Sequence, residues 1–305
     1  MSPAPALKNT AVPIGQLSHE TLGELHEWQD HPEQHEPIKT HITRLDKEVG
    51  GIVDHSYVVI GGKWKSGKTT VAQHIATILG VSNRGKVMYF LLEEMKRQMA
   101  IRSMTRLTPK VTRTIIRDIK ITDEAFAELE AAAKMLDQVN MDIDDKLNNV
   151  RQIIALAEQE KAAFVVIDYF QLLRDFSGKK EVERLQEISK MIIESRNRSG
   201  ITYIVVYQLN QKGTAHGSQT LYMDADLIIE ISKGKDENTA EEIPGSMWLQ
   251  VLPSRQCPVG AKFEIAFSGS HSRISDLIKF NPDDMGPVET ALFEPNEWEQ
   301  EEILQ

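Results

Sequence analysis

Cysteine is almost absent: the chain of 305 residues has one, Cys257. A single thiol excludes an intramolecular disulfide and fits a reducing compartment. No run approaches the roughly 20 apolar residues of a membrane-spanning helix. Met1 to Val12 holds one lysine and scattered prolines but no apolar segment of the kind a secretory leader needs. A soluble, cytoplasmic chain is the expectation. Positive charge is also short, with 35 Lys and Arg against 45 Asp and Glu, a net charge of −10. That balance argues against a general nucleic-acid coat and confines any such contact to local groups of Lys and Arg. Internal repeats are lacking. His26, His31, His35 and His41 follow no zinc spacing and have no cysteine beside them, so no metal site is expected there.

Hydrophobic residues make up 41% of the chain, enough for a large core. Tyr57 to Ile60, Val87 to Leu92, Phe164 to Ile167, Tyr203 to Val206 and Leu227 to Ile229 are short runs apolar on both faces. Such runs, separated by helical stretches, predict a parallel sheet covered on both sides. Asp123 to Gln138, Leu147 to Gln159 and Glu181 to Asn197 carry the helical spacing. Met95, Met99 and Met104 read as helix packing, and Cys257 as a small packing residue. Trp248 to Leu252 and Lys262 to Phe267, around a Pro-Val-Gly turn, predict an antiparallel hairpin at the sheet's edge. The expected organisation is a disordered N-terminus over 1–17, a short helix (Thr21 to Trp28, with Ser18 as its N-cap) and linker over 18–40, an α/β domain over 41–280, and an acidic tail over 281–305.

Gly62-Lys63-Trp64-Lys65-Ser66-Gly67-Lys68-Thr69, followed by Thr70, fits G-x-x-x-x-G-K-[ST] and lies between an apolar strand and a helix. Glycines let such a loop wrap so that its N–H groups and the helix N-terminus face phosphate oxygens. Lys68 then reaches the β- and γ-phosphates of a nucleotide such as ATP, and the Thr69 hydroxyl holds Mg2+. Asp168 ends a neighbouring buried strand, where it can orient the metal through water. Glu93 and Glu94 follow another strand, and either can serve as general base toward water. Gln208 follows a fourth and can hydrogen-bond the γ-phosphate.

From Ile42 to Ser275 the chain resembles the ATPase domain of DnaB-type hexameric replicative helicases, in the RecA-like superfamily. Four ordered blocks carry the resemblance: Leu45 to Gly51, Phe90 to Met95 continuing through Gln98 to Arg102, Val166 to Leu173, and Gln208-Leu209-Asn210 followed by Asp224 to Leu227. The resemblance implies a RecA-like P-loop core with a catalytic role for Glu93, a metal role for Asp168 and a sensor role for Gln208. It further implies that Arg255 acts as a finger on a neighbouring copy's γ-phosphate, in a homo-oligomer expected to be a hexameric ring. The helix at Thr21 to Trp28 is similar to the family's linker helix. Single-stranded DNA is the expected ligand of two channel loops. One holds Arg174, Phe176, Lys179 and Lys180; the other holds Lys212 and His216. Primase, a loader or other replication proteins are expected partners.

Three departures stand beside these expectations. Pro253 occupies the place of a usual lysine two residues before the finger. His216-Gly217-Ser218-Gln219 stands where the family carries an Arg-Glu-Ser-Gly-like element. No counterpart is expected here of the helical N-terminal domain that many members use toward primase. Two functions therefore follow from the sequence: a ring-forming helicase, or a nucleotide-gated module that assembles and recruits partners without unwinding. The tail, with Phe293 and Trp298 among its acids, reads as a solvated segment or as a partner-binding peptide.

Overall fold

The computed structural model describes residues 11–209, 218–235, 239 and 241–276, with backbone alone for 218–220. The chain divides into two compact units, Met1–Glu36 and Pro37–Gln305. In the first, α1 (Ile14–Asp30) is followed by a 3-10 turn, Pro32–Gln34. The helix begins behind Pro13, earlier than the expected Thr21, so the boundary expected after residue 17 falls inside it. Ser18 is not its cap: its hydroxyl returns to the Ile14 carbonyl at 2.8 Å, the back-bonding of a serine within a helix. Leu22, Leu25 and Trp28 share a face, as expected, and all three are exposed. The Trp28 ring stacks on His35 with 5.3 Å between centroids.

The second unit opens with α2 (Thr43–Val49), β1 (Tyr57–Gly62), α3 (Lys68–Val81) and β2 (Val87–Leu91). It continues with α4 (Lys96–Leu107), α5 (Arg113–Arg117), α6 (Asp123–Leu136) and β3 (Met141–Asp144). Next come α7 (Val150–Gln159), β4 (Phe164–Asp168), α8 (Glu181–Ser199), β5 (Thr202–Gln208) and α9 (Ser218–Asp224). Four strands close it: β6 (Leu227–Lys235), β7 (Glu242–Val251), β8 (Ala261–Ser268) and β9 (Arg273–Ser275). They form one nine-stranded sheet in the order β3-β2-β4-β5-β1-β6-β7-β8-β9. The six strands from β3 to β6 pair in parallel and the last three add antiparallel. Every residue of β1, β2 and β4 is buried, because helices cover both faces.

One face packs on α3 through Val58, Ile60, Val71, Ile75 and Leu79. The other packs on α7 and α8 through Val59, Ile153, Ile154, Ile188 and Ile192. Helix α3 is enclosed almost all round, with 12 of its 14 residues buried. Gly80 permits this closeness, since a Cβ there would lie 2.6 Å from Val139 Cγ1.

Two elements escape the sequence pattern. Strand β3 is four residues long and half-exposed, alternating Met141 and Ile143 with Asp142 and Asp144. Helix α4 buries a polar face of Arg102, Ser103, Thr105 and Arg106 around Met99. Met95 lies before that helix and is exposed, so it does not pack as the methionine spacing suggests. The fold remains as expected: an α/β sheet, mainly parallel, with an antiparallel edge. No described helix is long and apolar enough to cross a membrane.

Candidate active site

The C-terminal ends of β1, β2, β4 and β5 open on one edge of the sheet, where a doubly wound fold forms its ligand crevice. The loop 62–69 leaves β1 there and enters α3. Its glycines are sterically required. A Cβ on Gly62 would lie 2.6 Å from both the Ile231 carbonyl oxygen and Ser66 Oγ. Gly67 has a φ of +97°, and a Cβ there would meet Met247 Cε at 2.3 Å. Lys63, Trp64 and Lys65 stand exposed at the rim, with Lys65 Nζ over the Trp64 ring at 4.1 Å.

Lys68 is buried, and its Nζ donates to the Lys63 carbonyl at 2.8 Å, bridging the loop's mouth. Burial pushes its ammonium below the usual lysine value, while the Asp168 and Glu93 carboxylates pull the other way. Ser66 Oγ is buried with no hydrogen-bond partner among the described residues. A close-wrapped loop, a buried ammonium, an orphan hydroxyl and a helix N-terminus together fit a phosphate chain.

Asp168 ends β4, buried and facing α3. The Tyr89 hydroxyl donates to its Oδ2 at 2.9 Å, and the Thr69 hydroxyl bonds the same carboxyl group. Burial pushes this carboxyl up to about 6, the two hydrogen bonds and the Arg102 charge hold it back, and Glu94 adds to the rise. A carboxylate beside a threonine hydroxyl is an oxygen donor set that fits Mg2+ with retained waters.

Leu92 N donates to the Asp168 carbonyl at 2.8 Å, tying the end of β2 to that of β4 and projecting Glu93 beyond them. The two acids left open by the sequence differ in surroundings. Glu94 is half-buried and ion-paired with the buried Arg102. Glu93 is exposed, with no hydrogen bond or ion pair among the described residues, and its charge is felt at Lys68. Of the two acids, Glu93 is the more exposed and, among the described residues, the unpaired one.

Gln208 lies beside the loop: it is in register with Gly62, and Leu209 N donates to the Gly62 carbonyl at 2.9 Å. Its main chain is gripped by Gln171, whose Nε2 donates to the Gln208 carbonyl at 2.7 Å and whose Oε1 accepts from Gln208 N at 3.2 Å. Gln171 lies in one of the quoted blocks, yet nothing in the pattern marks it as a clamp. Tyr89 likewise stands out in the sequence only as part of an apolar run. From α9, Tyr222 donates to Glu230 of the neighbouring strand β6 at 2.9 Å, and its hydroxyl lies over Gly61.

The first expected channel loop follows β4. Arg174, Lys179 and Lys180 are exposed. Lys179 Nζ lies 3.4 Å from Glu187, and Arg151 and Lys179 each stand 5.3 Å from the centre of the Phe176 ring. Phe176 itself packs partly against the core. Lys212 and His216 lie outside the described residues.

Arg255 is on the opposite edge of the sheet. Its Nη1 donates to Asp226 Oδ1 at 2.9 Å, and Asp226 Oδ2 accepts from Tyr57 N, at the start of β1, at 2.8 Å. The six residues of β1 separate that end from Gly62 by roughly 17 Å. Arg255 therefore stands apart from its own chain's phosphate loop.

Residues 37–276 match the family described as DnaB-like helicase C terminal domain. The chain belongs to that family. Among curated relatives, it is 24% identical over 259 residues to the replicative DNA helicase DnaB of Buchnera aphidicola subsp. Baizongia pistaciae, covering 78% of this chain and 55% of that protein. The Pasteurella multocida replicative DNA helicase DnaB is 24% identical over 261 residues, with 79% and 55% covered. This DnaB-like chain thus spans about half the length of the curated relatives it matches. A solved ATPase domain superposes with a TM-score of 0.76 at 18% identity, over 88% of this chain and all of that one. A structure described as a DnaB-like replicative helicase and its interactions with primase gives 0.72 at 20% identity, over 88% and 68%. These likenesses establish the RecA-like DnaB ATPase fold.

Proposed function

We propose that this DnaB-like chain hydrolyses ATP with Mg2+ at the 62–69 loop. Assembled with further copies as a ring, it moves along single-stranded DNA and unwinds the duplex in replication. The observation that carries the reading is the meeting of Lys68, Thr69, Asp168 and Glu93 at one strand edge, beside a loop with no room for a side chain at Gly62 or Gly67. Backbone N–H groups of the loop and the start of α3 bind the phosphate chain, and Thr70 lies in that first turn. Lys68 exchanges its bond to the Lys63 carbonyl for phosphate oxygens. Thr69 and Asp168 hold Mg2+, which when bound neutralises charge on the β- and γ-phosphates. Glu93 orients water and accepts its proton. Gln208, held by Gln171, hydrogen-bonds the γ-phosphate. Arg255 serves the nucleotide of an adjoining copy, a role its distance from its own loop supports.

Arg174, Lys179 and Lys180, with Lys212 and His216, contact DNA phosphates. The neighbour described with primase supports primase as a partner of the full assembly. A replicative motor of this kind works in the cytoplasm. The test is ATP hydrolysis with and without single-stranded DNA, with Lys68→Ala as the blank. Severalfold stimulation by DNA is expected. Hydrolysis indifferent to DNA would instead favour the nucleotide-gated module, which the Pro253 departure also suits.

A further inference from the structure

Asp168 has two side-chain partners, and they differ in kind. Thr69 is at the loop's edge, half-buried, where its hydroxyl is within reach of a metal and its waters. Tyr89 is enclosed within the sheet's α3 face, fully buried, and its hydroxyl points along the sheet to Asp168 Oδ2 at 2.9 Å. The register explains the reach. Tyr89 is in register with Val166, and Leu91 with Asp168. Side chains two apart on a strand share a face, so Tyr89 and Asp168 are diagonal neighbours, a span of roughly 7–8 Å that an aromatic side chain bridges and an aliphatic one does not.

We propose that Tyr89 is a positioning residue for the metal: its hydroxyl fixes the rotation of the Asp168 carboxylate, so that the oxygen facing Thr69 is always aimed at the Mg2+ position. The inference rests on the reading of Asp168 as the metal-side acid. The bond to Thr69 loosens when that hydroxyl turns to the metal. The bond to Tyr89 does not compete with the metal, because it approaches from the closed side of the sheet. Without it the carboxylate is free to rotate in a dry pocket, and metal binding must supply the ordering. Partners that orient metal-binding side chains typically matter by about tenfold or more in metal affinity.

The test is Tyr89→Phe, which keeps the ring and its volume and removes one oxygen. The full chain is titrated with Mg2+, following ATP hydrolysis and, separately, equilibrium binding of a fluorescent ADP analogue. The expected result is a Mg2+ midpoint about tenfold higher in both readouts, with metal-free binding of the analogue unchanged. Tyr203→Phe is the comparison. Tyr203 shares a buried hydrogen bond of the same kind with Ser195 Oγ at 2.8 Å, at the sheet's other edge. A purely structural role lowers the melting temperature of both variants and moves the Mg2+ midpoint of neither. Asp168→Asn separates the two layers of the argument. If Asp168→Asn weakens the Mg2+ response and Tyr89→Phe does not, the role of Tyr89 is overturned and the reading of Asp168 stands. If neither variant changes it, both fall.

Discussion

Replacing Asp168 by Asn should make the protein more stable near neutral pH when nucleotide and metal are withheld. In the folded chain burial holds this carboxyl at about 6, against an ordinary value of 3.8. Between those values the unfolded chain holds fewer protons than the folded one, so stability falls as pH rises through the window. The penalty is absent well below 3.8 and complete above about 7. At about 1.4 kcal/mol per pH unit, it amounts to about 3 kcal/mol at pH 8 and about 1 kcal/mol at pH 4.5. An asparagine keeps an acceptor for Tyr89 but buries an amide N–H, which offsets about 1 kcal/mol of the gain at every pH. Urea unfolding in EDTA measures the outcome. The variant should be about 2 kcal/mol more stable than the parent at pH 8 and nearly equal at pH 4.5, with unchanged slopes. A variant destabilised equally at both pH values would refute the reasoning. It would mean that the carboxylate is fully compensated in the free protein and that its charge is not held for a ligand.

Two further outcomes follow from the same geometry. Arg102→Ala leaves Glu94 half-buried without its cation and should cost roughly 3 kcal/mol, read as a lower urea midpoint; an unchanged midpoint would show the pair to be dispensable. Arg255→Ala and Lys68→Ala should each abolish most hydrolysis alone, yet an equimolar mixture assembled together should regain a measurable part of it. One chain then supplies the arginine and the other the intact loop, whereas no recovery would place both groups in service of one chain's own nucleotide.

The sheet's central strands were readable because β1, β2 and β4 are buried on both faces and so appear as unbroken apolar runs. The phosphate loop was readable because steric demand at Gly62 and Gly67 leaves a fixed spacing in the sequence. Elements that satisfy themselves through polar contacts left no such trace. The buried face of α4 carries two arginines, and Arg106 reaches the ring of His74 at 2.6 Å, a pairing that composition along one helix does not suggest. The choice between Glu93 and Glu94 depends on Arg102, which lies a full α4 turn or more beyond both in the chain. Tyr89 and Gln171 act through atoms on other strands, so their roles depend on register, which no single segment encodes. The start of α1 was misplaced because Ser18 has the chemistry of a cap yet spends its hydroxyl on Ile14.

The enclosure of α3 bears on how the phosphate loop can be controlled. Beyond the first turn its amides, shielded on nearly every side, are expected to exchange with solvent only when the whole domain opens. The helix therefore behaves as a fixed anvil under the loop. Adjustments of nucleotide affinity have to arrive from the far wall of the crevice, through the segments that follow β2, β4 and β5, and these are the parts whose exchange should quicken or slow as the protein works.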